Sequence, residues 1–413
     1  MTNERRRPRF SLRRILLVLS FLGPGLITAS ADNDASGIAT YSMAGSIYGL
    51  DFLWIILWVT VGELVLQEVA ARMGATTGKG LTDLIRERFG VRLTFLVMSG
   101  LILANLGTTV SQFAGVAAGA ELFGVSRYIA VPIAALGIWW LVTHGTYNRV
   151  EKVLLGLSLY AVAYIVSTFL VGPDWGEVLR HTVVPTFKME RTYILAVLAT
   201  IGTTVTPWAA VYMQASIVDK GVTMRNYGPT RADVIFGTAM GNVVSAFVII
   251  AVAATLFVQG IQVETAEQAA LALTPVAGRW ATSLFGVGLV GASLLAASVL
   301  PLATTYAVCE AFGFERGIDH APHEAPVFFG LYTAQVVLGA LVVLIPGLNL
   351  FFMMWISQVA NAILLPLVMV LMIKLANDSG LMGRWTNSRW KNVVMGIMTV
   401  LVIGATVALV MGG

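Results

Sequence analysis

The chain has 413 residues, 57% of them hydrophobic and 12% charged, with a formal net charge of +4. A soluble domain carries roughly 25% charged residues, so half the charge needed to solvate a globule is missing, and a mean hydropathy of +0.81 leaves lipid as the solvent for most of the chain. A single cysteine, Cys309, and four histidines near segment ends exclude an internal disulfide, a CxxC centre and a histidine cage.

In chain order, Met1 to Arg14 holds six arginines and one acid and is followed at once by an apolar run. No small-x-small cleavage pattern appears before Asp32, so the segment reads as a cytoplasmic tail ahead of a first membrane helix rather than as a signal peptide. Apolar stretches near 20 residues can cross a hydrocarbon core of roughly 30 Å. They fall at 15–49, 51–71, 93–122, 128–143, 150–171, 192–218, 234–258, 281–309, 326–346, 349–373 and 393–411, which makes eleven. The longest connections, near 172–191 and 259–280, are too short for a separate domain. The expected organisation is a tail over 1–14 and a single transmembrane domain over 15–413.

Eleven spans put the termini on opposite sides, and the basic residues test that count. With the N-terminus inside, only Arg127, Arg180, Lys188, Arg191 and Arg279 face outward, and the other 21 of 26 face the cytoplasm. That asymmetry is the positive-inside pattern. The C-terminus is then extracytoplasmic.

Two spans are too polar at their centres to be plain helices. The first runs Gly23-Pro24-Gly25 through Asp32-Asn33-Asp34-Ala35-Ser36-Gly37; the sixth reads Gly202-Thr203-Thr204-Val205-Thr206-Pro207-Trp208. Acids in midspan are costly unless they face protein, water or an ion. Pro207 cannot donate a backbone hydrogen bond and clashes with the preceding turn. The two segments stand five positions apart in the series of spans, so the predicted fold is all-α: about eleven transmembrane helices in two inverted five-helix repeats (about 15–171 and 192–373), broken at helices 1 and 6, plus a last helix at 393–411. Paired breaks of this kind point to a binding site at the membrane midplane.

The run Leu66-Gln67-Glu68-Val69-Ala70-Ala71-Arg72-Met73-Gly74-Ala75-Thr76-Thr77-Gly78-Lys79-Gly80-Leu81 resembles the LQxLAARLGVVTGxDL stretch of the Nramp family of divalent-metal transporters. Gly23-Pro24 and Ala44-Gly45 in the first span, and Ser357-Gln358-Val359 with Leu365-Pro366 in the tenth, are similar to the same family. The family's metal-binding DPGN motif stands here as Asp34-Ala35-Ser36-Gly37, and its MPH motif as Thr206-Pro207-Trp208. The charged ligand is kept, an asparagine ligand becomes glycine, and a soft thioether becomes a hydroxyl. Mg2+ takes oxygen ligands and keeps several waters, so an all-oxygen, roomier pocket suits it. The combination resembles the Nramp-related magnesium transporters, a prokaryotic branch.

The resemblance implies metal ligands residue by residue. Asp34 is the anionic ligand, Gly37 the widened asparagine position, and Thr203 the donor of a backbone carbonyl. Thr206 stands at the methionine position and Gln358 at the ligand of helix 10. Asn361, one turn beyond, reads equally as a water-binding group or a packing hydrogen bond. No resident cofactor is implied, since Mg2+ or Mn2+ is the cargo. The expected partners are the cation and the bilayer, with no nucleic acid and no obligate protein partner, in a prokaryotic plasma membrane.

Family members that couple to protons carry acids in helix 3, the histidine in helix 6 and arginines in helix 9. Here Thr108, Ser111 and Trp208 occupy such positions, and 328–345 has no charged residue. Uncoupled transport is therefore the expectation, with Asp32, Glu63 and Glu68 as the remaining candidates for a substitute relay. A proton-coupled Mn2+ or Fe2+ symporter of the same fold is the nearest alternative. A sodium-coupled amino-acid carrier is disfavoured because Asp34 would repel an organic carboxylate. No P-loop, HExxH or serine elbow suggests an enzyme.

Overall fold

The computed structural model of the protein describes residues 33–144, 161–274, 278–318 and 320–411. Among the described residues every regular element is helical, as lipid demands of a chain that must satisfy its own backbone. The helices are α1 (Ala35–Tyr48), α2 (Leu53–Thr77), α3 (Leu81–Phe89), α4 (Val91–Glu121), α5 (Arg127–His144), α6 (Ala161–Val171), α7 (Trp175–Val183) and α8 (Arg191–Thr204). They continue with α9 (Pro207–Asp219), α10 (Tyr227–Thr255), α11 (Ala266–Leu271), α12 (Ala281–Phe312), α13 (Pro326–Val343), α14 (Leu350–Ala376) and α15 (Arg389–Met411), with a single helical turn at Ser379–Met382 ahead of α15. The basic tail, Gly23-Pro24, Asp32, the first part of the fifth span and the final Gly412-Gly413 lie outside the described residues.

Eight stretches among the described residues are long and apolar enough to cross a bilayer. One of them, 35–77, holds both α1 and α2, which a 3-10 turn at Gly49–Phe52 divides. α5 is a further 18-residue apolar helix, with Pro132 inside it. The chain is an all-α, multi-pass membrane protein of two five-helix repeats plus α15. The long helices α4 and α12 pack together, α14 crosses α4, and α1 sits among α10, α8, α14 and α4.

Small residues permit these approaches. A Cβ on Gly45 would stand 2.9 Å from the Ile249 carbonyl oxygen, so α1 lies directly on the α10 backbone. Buried polar pairs pin the register of the helices: Asn105 Nδ2 donates to Thr304 Oγ1 at 2.8 Å between α4 and α12. The long family-like run in α2 serves a seam of the same kind. Gly74 packs on the Gln214 backbone of α9, and Gln214 Nε2 donates to the Lys79 carbonyl at 2.8 Å. Gly78 ends α2 with φ +66, a left-handed cap that glycine takes at least cost.

Two connections expected to be plain loops hold short helices. α7 starts at Asp174, whose Oδ1 accepts from Gly176 N at 2.8 Å. α11 starts with a capping box between Thr265 and Gln268. Cap patterns of this kind are local signals that a search for 20-residue apolar runs passes over.

Candidate metal site at the two helix breaks

The break in the sixth span follows from one residue. α8 ends at Thr204, Thr206 is extended (φ −92, ψ 136), and Pro207 opens α9 at its first turn. A residue before proline is driven out of the helical region. In a continuous helix the Thr203 carbonyl would receive its bond from residue 207, and proline has no N–H to give. That carbonyl is thereby freed for another partner. Among the described residues the buried Thr203 hydroxyl has no hydrogen-bond partner either.

At the other break Asp34 N-caps α1. Its Oδ1 accepts from Gly37 N at 2.6 Å, and its carbonyl accepts from Ile38 N at 2.9 Å. Gly37 therefore acts through its amide, orienting the carboxylate. Gln112 of α4 grips the same turn from across the interface. Its Oε1 accepts from Ala35 N at 3.2 Å and its Nε2 donates to Asp34 Oδ2 at 2.6 Å.

From Gln112 a continuous chain of hydrogen bonds reaches α14. Ser36 and Ser111 hydroxyls meet at 2.5 Å, and Ser111 donates to the Thr108 carbonyl at 2.6 Å, so Ser36 is the donor to Ser111. Asn361 Nδ2 donates to Thr108 Oγ1 at 3.0 Å and to Gln358 Oε1 at 3.1 Å. Gln358 Nε2 donates in turn to Ser357 at 3.1 Å. The far end of this chain touches the sixth-span break, because a Cβ on Gly202 would lie 2.0 Å from the Gln358 carbonyl oxygen. Asp34, Gly37, Gln358 and Asn361 thus belong to one network, with Thr203 beside it. Thr206 is buried at the N-cap position of α9, and its side chain makes no capping bond there.

The acceptors of this network are oxygens. Asp34 is 3% exposed and brings the carboxylate; Asn361 Oδ1 is buried without a partner. Asn361 makes its packing bonds through Nδ2 and keeps a vacant acceptor at its oxygen. No group of three or more His, Cys, Asp or Glu side chains able to hold a metal occurs among the described residues. Neutral oxygens and a carboxylate are the ligand types that a hard cation takes. Trp208, 1% exposed, fills the position next to Pro207 with an indole whose N–H has no partner. One sulfur is near: Met354 Sδ lies 3.5 Å from where a Cβ on Gly115 would stand, against Ala35.

Gln112 was not anticipated from sequence. An amide, a serine and a threonine at positions 112, 111 and 108 of an otherwise apolar span were the available signal; reading Thr108 and Ser111 only as missing acids left it unused.

A multi-pass helical fold that brings a buried carboxylate and a proline-broken span to one polar core is the architecture of a membrane transporter. The family model for Nramp, natural resistance-associated macrophage protein-like, matches residues 25–412, and the chain belongs to that family. It is 26% identical over 406 residues to the divalent metal cation transporter MntH of Bacillus subtilis, covering 95% of this chain and 92% of that protein. The MntH of Klebsiella pneumoniae is 27% identical over 403 residues, with 95% and 94% covered. The fold is that of the manganese transporter of Eremococcus coleocola (TM-score 0.75, 19% identity, 96% of this chain and 87% of that one). The nucleobase-cation-symport transporter Mhp1 shares it more distantly (TM-score 0.58, 16% identity, 94% and 92% covered).

Proposed function

We propose that the chain carries divalent metal cations, with Mg2+ the main cargo and Mn2+ a second one, into a prokaryotic cytoplasm by alternating access without proton coupling. The observation that carries this reading is the donor set: one carboxylate, Asp34, in a network of amide and hydroxyl oxygens, with Thr203 and Asn361 oxygens lacking partners. Such oxygens favour a hard ion. Inward movement of a dication is driven by its gradient and by the membrane potential. Asp34, Thr203, Thr206, Gln358 and Asn361 are the proposed contacts, direct or through water, and Gly37 provides the room.

Absence of coupling rests on the groups at hand. Thr108, Ser111 and Trp208 do not titrate, and α13 from Pro326 to Val343 carries no charge. The orientation, with the N-terminus and the tail 1–14 inside and the rest a single transmembrane domain, is supported by where the basic segments meet. Arg72, Arg231 and Lys391 converge on Glu68, and Arg88 pairs with Asp378 at 2.9 Å, so the segments read as cytoplasmic share one end.

A second reading, proton-coupled Mn2+ transport, is favoured by the printed names of the relatives and by the Met354 thioether near Ala35. Uptake into proteoliposomes separates the two. The expected result is Mg2+ uptake in the wild type, and a shift in preference toward Mn2+ or Cd2+ in Gly37→Asn/Thr206→Met. Wild-type vesicles that take up Mn2+ but no Mg2+ contradict the first reading.

A further inference from the structure

A second polar pocket lies behind the first break, between α1, α2, α8 and α10. It has room for about one water molecule, and its walls include Asn33, Tyr41, Glu63, Thr204, Asn242 and Ser245. None of these contributes to the Asp34 network.

Its chemistry is one-sided. Asn242 Nδ2 spends its protons on Glu63 Oε2 at 2.5 Å and on the Thr238 carbonyl at 3.0 Å. The Ser245 hydroxyl donates to Asn33 Oδ1 at 2.8 Å, and Asn33 Nδ2 donates to the Gly241 carbonyl at 2.9 Å. Thr204 donates to the Thr200 carbonyl at 2.7 Å, so the Tyr41 hydroxyl, 2.9 Å away, donates to Thr204. With its donors committed to the protein, the pocket offers acceptors. Asn242 is 4% exposed and its Oδ1 has no partner, and the Glu63 carboxylate, 2% exposed, stands next to it. An anion is excluded by Glu63. A dication of the Mg2+ kind is excluded by size, because it dehydrates reluctantly and there is no room for its waters.

We propose that this pocket binds one small monovalent cation of the Na+ class, stripped of water and shared by Glu63 and the Asn242 oxygen. The bound ion ties α2 and α10 to Asn33, the residue immediately before Asp34, and so steadies the turn that presents the substrate carboxylate. This inference is independent of which divalent ion is carried.

A ligand that binds the folded state alone raises its stability with concentration, which provides the test. The purified full chain in detergent, with EDTA present and choline chloride replaced stepwise by NaCl at fixed ionic strength, is followed through thermal unfolding. A saturable rise in Tm with Na+ is expected in the wild type and in Asp34→Asn. Glu63→Gln should abolish it, and Asn242→Ala should move its midpoint to about 10-fold to 100-fold higher Na+. No saturable rise in the wild type overturns the proposal, as does a wild-type response in Glu63→Gln. Should Glu63→Gln fail to fold, the Asn242→Ala midpoint decides, and an unshifted one overturns the proposal. No divalent ion is present, so a failure of Mg2+ transport does not bear on the result.

Discussion

The Asp34 network and the charged cluster around Glu68 are both buried and polar, yet they are built on opposite principles. Glu68 is 4% exposed and is met by three cations: Arg72 at 3.4 Å, Arg231 at 3.7 Å and Lys391. Tyr227 donates to its carbonyl at 3.2 Å, and Arg72 also binds the Trp385 carbonyl and Asn387. Charge there is answered by charge, and the cluster staples α2 to α10 and to the segment entering α15. Around Asp34 the partners are neutral: the Gln112 side-chain amide and the Gly37 backbone amide. No lysine or arginine bonds to it among the described residues, and oxygens nearby have no donor. A cluster of the first kind holds helices together; one of the second kind leaves a negative group to be completed by a cation from outside.

The comparison breaks most directly at Asp34. Asp34→Ala should abolish divalent-cation uptake in proteoliposomes while the protein remains extractable and monodisperse; near-normal uptake would sink the site assignment. Gln112→Leu should come next, because it removes the group that orients the carboxylate while leaving the carboxylate itself. Loss of such an orienting partner costs about 10-fold to 100-fold in metal affinity, and isothermal titration would read it. Glu68→Ala sharpens the contrast from the other side. It leaves Arg72 and Lys391 without their anion, a loss of about 3 kcal/mol for a buried pair, seen as a lower Tm, while the ratio of Mg2+ to Mn2+ uptake stays that of the wild type. A changed ratio in Glu68→Ala would mean that the cluster belongs to the ion path.

The architecture was legible because lipid makes strong demands: apolar runs of fixed length, and breaks where acids or proline sit in midspan. Asp34 and Pro207 announce themselves by violating the rule of their spans. Gln112 does not, because a single amide in a long apolar helix reads as packing until its partner is known to be the cap of α1, 78 residues earlier. The role of Gly37 was half legible. The absence of a side chain could be read, whereas its amide bond to Asp34 depends on the N-cap geometry. The Asn242–Glu63 contact, spanning 179 residues, was beyond reach, since nothing in the sequence fixes the register of α10 against α2. Long-range register between helices is set by close approaches such as Gly45 on Ile249, which composition does not encode.

On the proposed function, a hard dication passes a site built from neutral oxygens and one carboxylate without carrying protons. Proteoliposomes holding a pH-sensitive dye and a Mg2+ indicator, with the membrane potential clamped, test both halves at once. The account predicts that Mg2+ enters with no acidification and that an inward pH gradient does not accelerate it. Acidification that follows Mg2+ or Mn2+ entry, and disappears in Glu63→Gln or Glu68→Gln, would contradict it and assign these acids a proton relay.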